Sequence, residues 1–116
     1  MDSSERSASW VLVEVLVILM FLMRSPMHGY LIASILNDII GPFAKVSYGR
    51  LYPLLTRLKA LRLVESEWVE SESGHPRKYY ALTAAGRDRA REMSTIWEKF
   101  SLSLGRLLTP VKEVHR

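Results

Sequence analysis

The chain contains no cysteine, which excludes disulfides and thiolate metal sites. Histidine is scarce: His28, His75 and His115 share no metal-ligand spacing, so neither a metal nor a cofactor is expected. No pair of catalytic carboxylates falls on one element, and there is no nucleophile motif or phosphate loop, so the chain does not read as an enzyme. Charge of one sign is only in mild excess. Sixteen Lys and Arg against twelve Asp and Glu leave a net +4, which permits a nucleic-acid partner without requiring one. Internal repeats and low-complexity tracts are also missing. The longest hydrophobic run, residues 10–23, is apolar except at Glu14 and stops at Arg24-Ser25-Pro26. It is shorter than the roughly 20 residues a bilayer demands, so it is expected to be a buried core helix, without a membrane partner and with a cytoplasmic location.

What is present fits one domain. The 116 residues are 48% hydrophobic and 24% charged, a globular balance. Residues 1–9 are small and polar and read as a flexible arm. A first helix is expected over Trp10–Met23. A second is expected from Met27 to about Ile40, with Tyr30, Leu31, Ile35, Leu36 and Ile39 as its apolar stripe, ended by Gly41-Pro42. Ser47 offers an N-cap for a third helix, whose stripe is Leu51, Leu54, Leu55, Leu58 and Leu61. Pro53 is tolerable there only if it falls close to the first turn. Residues 63–69 and 77–82 read as strands around a turn-rich tip at 70–76. Thr83 caps a last helix reaching about Leu108, with Pro110 beyond.

The order helix, helix, helix, hairpin, helix describes a mainly α (α+β) fold. It is a winged helix-turn-helix over 10–82, with a two-stranded β-wing, a long C-terminal dimerisation helix over 83–109 and a tail at 110–116. The third helix concentrates the positive charge. Lys45, Arg50, Arg57, Lys59 and Arg62 fall within residues 43–62, which hold no acid. Arg50 and Arg57, seven apart, share a helix face off the leucine stripe, with Tyr48 and Tyr52 near the same end. Such a face suits the major groove of double-stranded DNA, although a solvated basic face has the same composition. In the wing, Arg77 and Lys78 follow Gly74-His75-Pro76, opposed by Glu65, Glu67, Glu70 and Glu72. These glutamates either point away from DNA or pair with the two cations.

On the last helix, Ala90, Met93, Trp97, Phe100, Leu104 and Leu107 are spaced by threes and fours, an a/d seam expected to pair with a second copy. Trp97, with Met93 and Phe100, is either a dimer-core residue or a platform for a small planar aromatic effector.

Three segments carry a family resemblance. Pro26-Met27-His28-Gly29-Tyr30, then Gly49-Arg50-Leu51-Tyr52-Pro53-Leu54-Leu55, then Pro76-Arg77-Lys78-Tyr79-Tyr80-Ala81-Leu82-Thr83 with Gly86, closely resemble PadR-like transcriptional regulators over about residues 12–100. The resemblance to the smaller subgroup implies a homodimeric repressor of a palindromic operator, released by a small molecule. By match, Ser47, Tyr48, Gly49, Arg50 and Tyr52 occupy the start of the recognition helix, Arg77 and Lys78 the wing, and His28 and Tyr30 the start of the second helix. In drug-responsive members the ligand sits between paired tryptophans, and Trp97 stands at the corresponding place. Arg50 stands where the family usually has threonine, which implies a guanine or phosphate contact in place of a methyl contact. The alternative function is a winged-helix protein-interaction module without an effector.

Overall fold

The computed structural model describes residues 10–109, so the arm at 1–9 and the tail at 110–116 lie outside the described residues. In chain order the elements are α1 (Val11–Leu22), β1 (Met27–His28), α2 (Gly29–Ile40), α3 (Tyr48–Ala60), β2 (Val64–Val69), β3 (Arg77–Leu82) and α4 (Ala84–Leu108). The winged helix-turn-helix with a long last helix is therefore present. The sheet differs from the expected two strands: β1 adds to β3, giving the antiparallel order β1-β3-β2. Met27 pairs with Tyr80 and His28 with Tyr79. Two residues are too few to show a period of two in sequence, so only their pairing with β3 reveals this strand.

The core lies where α1, α2, α3 and the sheet converge, built on Ile18, Leu19, Leu22, Ile32, Leu36, Ile40, Leu51, Leu55, Leu58, Val64 and Leu82. Two expected stripes are corrected. On α2 the buried face is Gly29, Ile32, Ala33, Leu36 and Ile40, whereas Tyr30, Leu31 and Ile39 are exposed. Almost every α2 position is apolar, so several faces satisfy a spacing of three and four, and only packing selects one. On α3, Leu61 is exposed because it caps the helix rather than lying within it. α1 is not buried all round either: Leu12 is 76% exposed and Met20 41%.

Ser47 caps α3 as expected, its Oγ accepting the Gly49 amide at 3.2 Å. Pro53 lies inside α3, beyond its first turn, and leaves the Gly49 carbonyl without the amide that would normally reach it. The helix ends in a left-handed residue, Arg62, at φ 62°. The Leu63 amide donates to Leu58 O at 3.0 Å and the Arg62 amide to Lys59 O at 2.9 Å. This bond pair is the Schellman stop that glycine normally provides.

The same corner launches α4. The Thr83 amide donates to Leu63 O at 3.1 Å, and its hydroxyl donates to Arg62 O at 2.6 Å while accepting the Gly86 amide at 3.0 Å. From there α4 runs 25 residues, about 37 Å, and only Gly86 and Ala90 on it are fully buried. The radius of gyration is accordingly 17.4 Å, above the roughly 13 Å of a compact chain of about this size.

Candidate nucleic-acid interface

Where the start of α2, one face of α3 and the wing meet, they enclose a groove of about 630 Å³. It is lined by His28, Gly29, Tyr30, Tyr52, Thr56, Trp68, Pro76, Arg77, Lys78 and Tyr80. Five residues picked out by sequence, His28, Tyr30, Tyr52, Arg77 and Lys78, thus come together although they span 51 positions of the chain. Tyr48 joins them, its ring stacked on Tyr30 at 6.2 Å, and both rings are largely exposed. Tyr52 is set by Gly29. A Cβ there would lie 3.1 Å from the tyrosine oxygen, so the missing side chain lets the phenol close over the start of α2. Gly49 is different, because a Cβ on it would meet only Ser47 Oγ, at 3.5 Å. The fold does not require a glycine there, and the first turn of α3 is left open to a close-approaching surface. Arg57 is exposed on α3, outside this groove.

His28 caps α2: Nδ1 accepts the Leu31 amide at 3.2 Å, and Nε2 lies 3.1 Å from Arg77 Nη1. Burial, and then the Arg77 charge, hold its pKa below the ordinary histidine value, which favours the neutral imidazole. A neutral imidazole has one acceptor nitrogen, so the cap and the Arg77 contact compete for it. Arg77 is therefore weakly tethered and well placed for an anion. Lys78 extends over the rings of Trp68 (6.0 Å) and Tyr80 (5.9 Å).

Strand parity decides the orientation of two wing glutamates. Trp68 pairs with Lys78 and Ser66 with Tyr80, whereas Glu65 pairs with Ala81 and Glu67 with Tyr79. Glu65 and Glu67 thus lie on the opposite sheet face from the groove. They line a separate depression with Pro26 and Tyr79. Glu70 and Glu72 are exposed, and among the described residues no ion pair joins these four glutamates to Arg77 or Lys78.

Arg50 departs from the sequence reading. It does not project outward beside Arg57. Its Nη2 meets Glu14 Oε1 of α1 at 2.5 Å, and its side chain is 30% exposed. Arg50 precedes Leu51 and so sits at the edge of the buried stripe, where a charge across the gap turns it inward. Among the described residues Glu14 is the one charged side chain that is buried, at 3% exposure. Removing one member of a fully buried pair costs about 3–5 kcal/mol, and less where, as here, one partner is 30% exposed. A bidentate arginine–guanine contact is worth about 1–3 kcal/mol. Sequence reasoning passed over Glu14, although a lone acid in an apolar helix needs a counter-charge. It also passed over Trp68 and Thr56.

A second surface lies between α1 and α4. Leu12, Val13, Leu16, Met93, Ile96, Trp97 and Phe100 line an almost wholly apolar groove of about 310 Å³. Trp97 and Phe100 face each other at 6.1 Å with planes tilted by 48°. Trp97, Phe100, Leu104 and Leu107 are all exposed, whereas Met93 is partly buried against the core. Ala90 is the exception among the seam residues. It is 0% exposed inside this chain's own core, so it has no surface left for a second copy. The α1 residues and Ile96 were not read as part of this groove, because their membership depends on how two helices cross.

No curated protein matches the chain. Residues 18–92 match the model of the transcriptional regulator PadR-like family. A PadR-like transcriptional regulator from Bacillus cereus is 30% identical with a TM-score of 0.79, over 88% of this chain and 97% of that one. A PadR-like transcription factor from Bacteroides fragilis is 33% identical with a TM-score of 0.67, over 91% and 99%. Bacillus subtilis PadR in complex with operator DNA shares the fold at 23% identity and a TM-score of 0.61, over 70% of this chain and 45% of that one.

Proposed function

This chain belongs to the PadR-like family of transcriptional regulators, and we propose that it acts in the cytoplasm as a homodimeric repressor of a palindromic operator, released by a small planar aromatic ligand. Residues 10–82 form the DNA-binding unit and residues 83–109 the dimerisation helix. The observation that carries this reading is the pairing of two surfaces. A tyrosine- and cation-lined groove lies at α2, α3 and the wing, and a separate apolar face of α1 and α4 carries exposed Leu12, Ile96, Trp97, Phe100 and Leu107. Apolar side chains at this density are normally covered by a partner. A two-fold related copy covers them isologously and presents two recognition helices at once. That B. subtilis PadR has been crystallised with operator DNA supports DNA as the ligand of the first surface.

Tyr48, Gly49, Tyr52 and Arg57 approach the major groove from α3, with Ser47 as the cap that orients its first turn. Arg77 and Lys78 reach the backbone from the wing, and His28 and Tyr30 flank them at the start of α2. Trp97, Met93 and Phe100 hold the effector, and Trp97, Phe100, Leu104 and Leu107 hold the second copy. Neutral, flat aromatic compounds match a groove with so little polar lining.

Sedimentation equilibrium with gel shifts on the DNA upstream of the gene tests this. A dimer that prefers that DNA to a scrambled duplex, with half-sites about one helical turn apart, is expected. A monomer without preference overturns it. For the effector, Trp10→Phe and Trp68→Phe leave Trp97 as the sole tryptophan, whose emission is excited selectively over that of the five tyrosines. Quenching by aromatic compounds that also weaken DNA binding is expected. Unchanged emission across a varied panel removes the effector from the reading.

A further inference from the structure

We propose that Glu14 is a positioning residue for DNA recognition. It holds the guanidinium of Arg50 against α1, so that Arg50 braces the recognition helix and does not read base edges. This rests on the reading of α3 as the DNA-facing helix.

Glu14 is buried in a helix that is otherwise apolar throughout, and its oxygen lies 2.5 Å from Arg50 Nη2. α1 packs chiefly on α2, β3 and α4, so this pair ties α1 to the first turn of α3. Two consequences follow for recognition. The charge of Arg50 is balanced within the protein, so it adds little to phosphate attraction. The helix surface beside Gly49 is left to Tyr48 and Tyr52, both half exposed at 53%. An arginine held in this way sets the angle of the helix, whereas one free to extend lengthens its reach toward any duplex. The pair therefore favours selectivity over general affinity.

The test uses a duplex selected from a random pool by the unsubstituted protein, and a scrambled duplex of equal composition. Dissociation constants are measured over a salt series. Each phosphate contact adds about 0.9 to the slope of log affinity against log salt. Arg50→Gln is expected to leave the slope unchanged, and Arg57→Gln to lower it by about 0.9. Glu14→Gln removes the contact that holds Arg50 against α1, and is expected to raise the slope by up to about 0.9 and to cut discrimination between the two duplexes roughly tenfold. The double variant Glu14→Gln/Arg50→Gln returns the slope to its starting value. A fall of about 0.9 with Arg50→Gln, with no effect of Glu14→Gln, overturns the proposal.

One further measurement does not depend on variants that fold. In the unsubstituted protein, the side-chain nitrogen signals of Arg50 stay slow to exchange and unshifted when the selected duplex is added. Displacement of those signals by DNA overturns the proposal. If the unsubstituted protein selects no duplex at all, the DNA-regulator reading fails instead, and the two failures are distinct.

Discussion

The carbonyl oxygen of Leu63 fills the space that a Cβ on Gly86 would occupy. This contact lets α4 begin directly against the end of α3, with Thr83 bonded to both Arg62 and Leu63. Gly86→Ala forces the two elements apart, and a loss of about 1–3 kcal/mol is expected in denaturant unfolding. Gly105 has nothing within 4 Å of its missing Cβ. Gly105→Ala is therefore expected to stabilise the helix by about 0.5–1 kcal/mol in the same assay.

At Arg62 the backbone is left-handed, a conformation that costs an L-residue roughly 1–2 kcal/mol. Arg62→Gly keeps the Schellman bonds and removes the Cβ conflict. A gain of about 1 kcal/mol is expected by thermal unfolding. A loss shows that contacts of the arginine side chain outweigh the strain.

Gly49 separates fold from function. Because the position is open, Gly49→Ala is expected to leave the melting temperature unchanged or higher. If the first turn of α3 faces DNA as proposed, its methyl intrudes there, and affinity for the selected duplex is expected to fall roughly tenfold, about 1.4 kcal/mol. Equal affinity in a titration followed by anisotropy argues that this turn does not touch DNA.

The lowered pKa of His28 makes stability pH-dependent. As pH falls below about 6.5, the unfolded chain takes up the proton before the folded one does. The stabilisation is complete above that value and is lost as pH falls through the folded-state pKa. Asparagine preserves the N-cap without titrating. His28→Asn is therefore expected to lose less stability than the unsubstituted chain between pH 7.5 and 5.5. Identical losses in denaturant titrations refute the assignment.

Phe100 is 55% exposed, so a charge there leaves the single-chain fold intact. Phe100→Glu is expected to weaken self-association by about 2 kcal/mol or more, read as a shift toward monomer in sedimentation equilibrium with an unchanged circular dichroism spectrum. An undisturbed dimer places the interface elsewhere.

The sequence by itself determined the order of the four helices and the two wing strands, because capping and turn chemistry are local. Ser47, Thr83 and the turn at 70–76 mark their boundaries without help from the rest of the chain. It also determined where cations and tyrosines concentrate. Tertiary structure decided which of them face outward. Arg50 and Arg57 share a helical face by period, yet only Arg57 projects freely, because Glu14, 36 residues earlier, lies across from Arg50 alone. Ala90 and Trp97 belong to one seam by spacing, yet the chain's own core takes in the first and leaves the second exposed. Likewise α2 has apolar residues on several sides, and β1 is too short to announce itself. Periodicity reports that a face exists. The side it turns to, and the charge it meets there, depend on contacts between residues far apart in the chain, which local pattern does not encode.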